Sequence, residues 1–248
     1  MNKQITNKYQ SRKKNKQGGF TLVELAIAMV IIALLTAGIL VGQNLIESAT
    51  IKATISQIEE HQTSFNVFVD KYRAFPGDFA AADQFIGAAN TEIGDGNTQV
   101  VWSDVCAACT GGEMEGPLAW RHLQLAGLTQ GQFGTDLASG DATPNTVIPT
   151  SKIGGEGGGY YITYDTVGGL DNVLGIGLFA GAGTGINRNP YITPKQAFDI
   201  DRKLDDSNPT TGLVRAYPPA DDTCISTTTG TYVLTSDSIA CWMEYKLD

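Results

Sequence analysis

The sequence predicts an α+β protein: a long N-terminal helix, half transmembrane and half amphipathic stem, packed on a small, loop-rich antiparallel β head. Three observations carry that expectation. No proline interrupts the chain between Phe20 and Phe75, and helix-compatible residues fill the interval. Its first part, Phe20 to Gly42, has a single formal charge, Glu24, in 23 residues. Beyond Phe75 the candidate elements shorten and glycine becomes frequent, a pattern of short strands joined by loops.

Residues 1–19 carry Lys3, Lys8, Arg12, Lys13, Lys14 and Lys16 and no acidic residue. Positive charge beside an apolar run holds that side in the cytoplasm. About 20 apolar helical residues cross a hydrocarbon core of about 30 Å. Residues 20–42 therefore read as a single-pass span with a cytoplasmic N-terminus. A carboxylate in such a span costs roughly 2.5–3.5 kcal/mol at the helix centre and less near an end, so Glu24 calls for a partner. Gly19-Phe20 is a small-to-aromatic junction between leader and span. A cut there leaves the free amine of Phe20 four residues before Glu24, and amine and carboxylate neutralise each other within a chain or between neighbours.

The net charge of the whole chain is −9; without the six leader cations, eleven basic residues face 26 acidic ones, a charge near −15. Such a chain opposes nonspecific binding to DNA or anionic lipid, and no direct nucleic-acid partner is expected.

After Gly42 the helix pattern continues as a stem over 43–74. Ile51, Ile55, Ile58, Phe65, Phe68, Val69 and Tyr72 form one apolar stripe at mostly three- and four-residue steps. Pro76-Gly77 supplies a stop. The head, 75–248, opens with a short helix over Asp78–Ile86 and another over Glu115–Leu128. Tyr160–Tyr164 and Val173–Phe179 have strand composition. Thr193-Pro194-Lys195-Gln196 is a capping box with proline at the first helical position, and opens a helix to about Leu204. Thr231–Leu234 and Cys241–Tyr245 are the last strand candidates.

The stretch Gly19-Phe20-Thr21-Leu22-Val23-Glu24, with lysines before it and the apolar run after it, resembles the class III signal of type IV pilins and type II secretion pseudopilins. A secretory signal differs: its apolar core is shorter and its cleavage site follows the core. The resemblance covers leader and first helix, about a quarter of the chain. It implies cleavage after Gly19 by a prepilin peptidase, N-methylation of Phe20, and assembly guided by Glu24 attracting the Phe20 amine of an adjacent subunit. It further implies an inner-membrane assembly platform, copies of this chain or other pilins and pseudopilins as partners, and a move from the inner membrane to a periplasmic or extracellular filament. Residues 20–42 then form the filament core. Many pilins have a proline about two-thirds along this run; here Val41-Gly42 stand instead, so melting of the helix at that proline is not implied. Gly38 and Gly42 form a small-xxx-small pair that permits close helix approach. Tyr72–Asp78, Gly94–Asn97 and Ile200–Asp206 resemble segments of a broad group of larger bacterial prepilin-like proteins.

A structural subunit is thus expected, not an enzyme. His61 and His122 stand in no motif with Ser or Cys, and His122 reads as a half-buried helix residue. The alternatives are a minor pilin or pseudopilin at a filament tip, acting in secretion, adhesion or DNA uptake, and a membrane-anchored binding protein that never assembles. Four cysteines in an exported head suggest disulfides and allow three pairings. Cys106–Cys109 and Cys224–Cys241 are favoured, the second closing a C-terminal loop similar to that of many pilins. A redox role for Cys106-Ala-Ala-Cys109 lacks a thioredoxin-like context, and zinc lacks a second CxxC. No cofactor is expected beyond calcium, for which Glu92, Asp95 and Asn97 offer side-chain oxygens around glycines, short of a full EF-hand pattern.

Overall fold

The structure is a computed structural model and describes residues 19–89, 92–102, 115–134, 146–155, 157–165, 169–178, 189–217 and 222–247. The chain divides into two compact units, Met1–Ile46 and Glu47–Asp248. Helix α1, Leu22–Tyr72, contributes to both.

In the first unit the helical residues are apolar on every side, and nearly every side chain is exposed. This helix is long and apolar enough to cross a membrane. No side chain breaks the ladder, because Leu, Ile, Ala, Val and Met all tolerate helix.

In the second unit α1 buries one face. Ile51, Thr54, Ile58, His61, Ser64, Phe65 and Phe68 are buried, at steps of three and four apart from the adjacent Ser64 and Phe65, which keeps them on one side. The apolar stripe read from sequence is therefore interleaved with polar residues. The two hydroxyls are satisfied at once: Thr54 Oγ1 donates to the Thr50 carbonyl at 3.0 Å, and Ser64 Oγ lies 2.9 Å from Glu60 O and 2.8 Å from Leu128 O. The helix stops at Tyr72, ahead of the Pro76-Gly77 pair, because Arg73 takes a left-handed conformation at φ 55°, the usual geometry just past a helix end. Pro76-Gly77 forms the following turn instead. Gly77 has φ +93°, and a side chain there would sit 2.3 Å from the Glu115 carbonyl oxygen; only glycine fits.

The sheet has four strands, β1 (Gly158–Asp165), β2 (Asp171–Leu178), β3 (Val214–Tyr217) and β4 (Trp242–Lys246), in the order β1-β2-β4-β3, all antiparallel. Register places Tyr160 opposite Ile176, Ile176 opposite Met243 and Met243 opposite Ala216. Ile58 of α1 shares a small apolar gap with Leu174, Ile176, Val214 and Met243, which puts the stem on that face. On the other face the Tyr161 ring lies over Gly175, where a side chain would meet it at 1.9 Å, and its hydroxyl donates to Glu244 Oε1 at 3.0 Å.

Among the described residues the head has three further helices: α2 (Ala82–Phe85), α3 (Glu115–Leu125) and α4 (Pro194–Leu204). The first is shorter than its expected span, because only four residues complete a turn before Ile86. Helix α3 ends at Leu125; Gly127, at φ +72°, reverses the chain, and Leu128 N–H returns to Leu123 O. Helix α4 opens on a complete capping box between Thr193 and Gln196. The Thr231–Leu234 strand does not form. Tyr232 makes one bridge to Ile225, and Val233 N–H bonds to Cys224 O, so the segment is a turn held inside the disulfide loop. Strand β3 was not expected: four residues are too few for alternation to register.

His122 of α3 is fully buried, not half-buried. Its Nδ1 accepts from Gly77 N–H at 2.9 Å and its Nε2 lies 2.9 Å from the Glu92 carbonyl. A backbone N–H only donates and a carbonyl only accepts, so the ring is neutral with its proton on Nε2. It joins the turn after α1 to the 92–97 loop. Burial lowers its pKa to about 4.

Two expectations follow from this packing. Cys224 and Cys241, 17 residues apart, form a disulfide; replacing both with serine is expected to lower stability by roughly 3 kcal/mol, read by denaturant unfolding followed through tryptophan fluorescence. The second is a pH dependence. The depressed pKa of His122 means that the unfolded chain takes up its proton first, so the stabilisation is complete above about pH 6.5 and is lost progressively toward pH 4. The stability difference between the native chain and His122→Gln is expected to shrink over that interval by up to roughly 3 kcal/mol. A difference constant from pH 7 to pH 4.5 in the same unfolding measurement contradicts it.

Candidate functional site

The site is the junction of leader and helix. Gly19 and Phe20 precede the first helical turn, and both are exposed. Among the described residues nothing approaches within 4 Å of the place a side chain at Gly19 would occupy. Phe20 is 83% exposed.

Thr21 stands immediately before Leu22 and acts as the helix N-cap. Its Oγ1 accepts from Glu24 N–H at 3.2 Å, and its own N–H donates to Glu24 Oε2 at 2.8 Å. That reciprocal pair is a capping box, which satisfies two of the amide donors a helix start leaves open. The Thr21 hydroxyl also donates to Glu24 Oε2 at 2.9 Å. All carboxylate bonds end on Oε2, and Oε1 meets no donor among the described residues. The sequence reading assigned Glu24 to an amine and overlooked Thr21. The signal was present, since Thr21-Leu22-Val23-Glu24 has capping-box spacing.

Beyond this box the exposed helix is apolar as far as Gly42 except for the Thr36 hydroxyl, which donates to its own helix at Ala33 O. Phe20, Leu22, Val23, Met29, Val30, Ile32, Leu34 and Leu35 are each at least 60% exposed. Among the described residues no group lies within 4 Å of where side chains at Gly38 and Gly42 would project, so both positions are open to close approach. An apolar surface of this extent calls for lipid or protein cover.

The head residues considered for calcium each have hydrogen-bond partners of their own. Glu92 accepts from Ala89 N–H at 3.2 Å and pairs with Arg121 at 3.3 Å. Asp95 and Asn97 bond to each other, Asn97 N–H to Asp95 Oδ1 at 3.1 Å and Asn97 Nδ2 to Asp95 Oδ2 at 2.9 Å. Asp95 lies with Asp78 and Glu115, with carboxylate oxygens within 4.8 Å of one another. Asp78 and Glu115 are also engaged by backbone. Asp78 accepts from Gly96, Asn97 and Thr98 at 2.5–3.0 Å, and Glu115 from Asp95 and Val101 at 3.2 and 3.0 Å. Burial raises Asp78 to about 6 and Glu115 to about 7. A second trio, Asp201, Asp205 and Asp206, anchors the end of α4 in the same way, with Tyr232 donating to Asp201 at 2.8 Å. These carboxylates hold loops, and each trio offers three of the six to eight oxygens that calcium takes. Cys224–Cys241 ties the C-terminal loop; Cys106 and Cys109 lie outside the described residues.

No curated protein and no solved structure gives a significant match to this chain. Residues 14–40 match the family model of the prokaryotic N-terminal methylation motif, so the junction of Gly19, Phe20, Thr21 and Glu24 lies within the N-terminal signal of type IV pilins and pseudopilins.

Proposed function

We propose that this chain is a prepilin-type structural subunit, cut after Gly19 by a prepilin peptidase, methylated on the new amine of Phe20, and assembled through its apolar helix into a type IV pilus or type II pseudopilus filament. The observation that carries the reading is the methylation motif over residues 14–40, set on a helix with an exposed apolar surface. Before assembly the span rests in the inner membrane with the leader in the cytoplasm. In the filament the same surface packs against other copies or other pilins, with the assembly platform delivering them.

The capping box gives Glu24 two successive tasks. In the uncut chain no amine exists at Phe20, and Thr21 supplies both donors that the carboxylate takes. Those bonds lower the cost of an acid near the end of an apolar segment. After cleavage a cation appears one residue before Thr21. Oε1 is then available to the amine of an incoming subunit while Oε2 still holds its own helix start. Glu24 therefore attracts a neighbour without fraying the helix that carries it.

Mass spectrometry of the mature protein is expected to find an N-terminus at methylated Phe20. A chain that begins at Met1 in cells with active peptidase overturns the processing reading, and filament imaging that never finds this chain in a filament overturns the assembly reading. Glu24→Gln is expected to be inserted and cut normally but to leave subunits in the membrane with few filaments. Thr21→Val, which keeps the charge and removes the hydroxyl, is expected to weaken the helix start by about 1 kcal/mol and to slow assembly less than Glu24→Gln. Equal filament yields from Glu24→Gln and native chains show that charge does not guide the contact.

A further inference from the structure

Exposed apolar side chains of the head gather in one loop. Among the described residues that follow α1, four large apolar side chains are exposed: Phe85, Leu213, Leu234 and Ile239. The last two, at 50% and 59% exposure, belong to the loop closed by Cys224–Cys241. Thr235, Asp237 and Ser238 between them are exposed as well.

Packing fixes the end of the head at which this loop lies. Helix α4 runs beside the stem in the same direction as α1. Lys195, in its first turn, pairs with Glu47 at 2.9 Å, whereas Ile200 and Leu204, further along, share an apolar gap with Ile58. The loop returns along α4 from its far end. Tyr232 donates to Asp201 at 2.8 Å and sets its ring 5.9 Å from Phe198. Ala240 and Cys241 then donate to Ile192 O, at 3.1 and 3.0 Å, just ahead of the α4 N-cap. Asp237 lies close enough to act on the Lys195 ammonium. Residues 234–239 therefore approach the α4 N-terminus, at the Glu47 end of the stem.

That end adjoins the apolar run. Glu47 follows Gly42 by five residues, a rise of about 7.5 Å in a helix. A hydrocarbon core of about 30 Å in a bilayer of about 40–45 Å leaves headgroup layers of roughly 5–8 Å on either side. With residues 20–42 across the core, Glu47 and the Lys195 end of α4 stand at headgroup level.

We propose that in the unassembled subunit Leu234 and Ile239 insert into the lipid surface beside the span, an inference that rests on the reading of residues 20–42 as membrane-spanning. Two aliphatic side chains bind lipid weakly by themselves; the span holds them at the surface, so the contact is made at high effective concentration. Glu47, Asp199 and Asp237 outnumber Lys195 here. Anionic headgroups are thus not the attraction, and a zwitterionic surface fits. The docked loop holds this end of the head on the membrane until the subunit is extracted.

The test places single added tryptophans in the full chain, reconstituted in phosphatidylcholine vesicles that carry bromine at shallow or deep acyl positions. Leu234→Trp and Ile239→Trp replace exposed side chains, and a non-reducing gel checks that the loop stays closed. Leu35→Trp reports the span. Phe85→Trp is the distant control: its ring neighbour Phe79 packs on Tyr72, about 37 Å further along α1 than Glu47. Quenching of the added emission is read against the native chain. Shallow bromines are expected to quench positions 234 and 239 about threefold more than position 85, as for side chains seated about 5–10 Å into the headgroup–acyl boundary, and deep bromines to quench position 35. Positions 234 and 239 no more quenched than 85, with 35 quenched, overturn the docking and leave the span standing. Position 35 unquenched overturns the span and the docking with it. Quenching at only one loop position removes the other residue from the contact. Shallow quenching that appears only after part of the lipid is replaced with phosphatidylglycerol overturns the zwitterionic assignment.

Discussion

The head depends on one buried face of one helix. Ile51, Ile58, Phe65 and Phe68 lie in the same core as Ile176 and Met243 of the sheet, Trp120 of α3 and Ile200 of α4. A four-stranded sheet with strands of four to eight residues has little independent stability, and here the stem supplies the surface it closes on. Polar residues within that face show how strict the requirement is. Thr54 and Ser64 are admitted because a helix carbonyl four residues back accepts their hydroxyls. His61 is admitted with no such bond.

The two units use α1 in opposite ways. From Glu47 on, burial is one-sided and the outward residues, among them Lys52, Glu59, Glu60 and Asp70, are exposed. Before it, the side chains are apolar all round and exposed. A helix apolar on all faces is stable only when lipid or other protein surrounds it. The one carboxylate of that segment sits in its first turn, where amide donors are free and negative charge is favoured. The matched N-terminal methylation motif is therefore also sound helix chemistry. Threonine caps, and glutamate returns the bond.

Much of this architecture was legible in the sequence. The long helix announced itself by the absence of proline and by its apolar run, α4 by Thr193 and Gln196, and β1, β2 and β4 by β-branched and aromatic runs. The misreadings share one cause. Thr231–Leu234 has strand composition but no partner strand, since the loop closed by Cys224–Cys241 bends it into a turn. Val214–Tyr217 is weak as a pattern and becomes a strand because β4 offers it an edge. Arg73, with no sequence mark, ends the helix ahead of Pro76-Gly77.

The sequence by itself determined the signal, the helix and the α+β class, because each rests on residues near one another in the chain. Charge against apolar run, cap against N3 residue and periodicity along one helix are local relations. Only the tertiary structure decided what the dispersed polar residues do. Asp95 meets Asp78 and Glu115, His122 clamps a turn 45 residues away, and His61 reaches Trp120 and Tyr160 across the head. Those pairings depend on which surfaces the core brings together, and hydrophobic burial, being non-directional, does not write them into any single stretch of sequence.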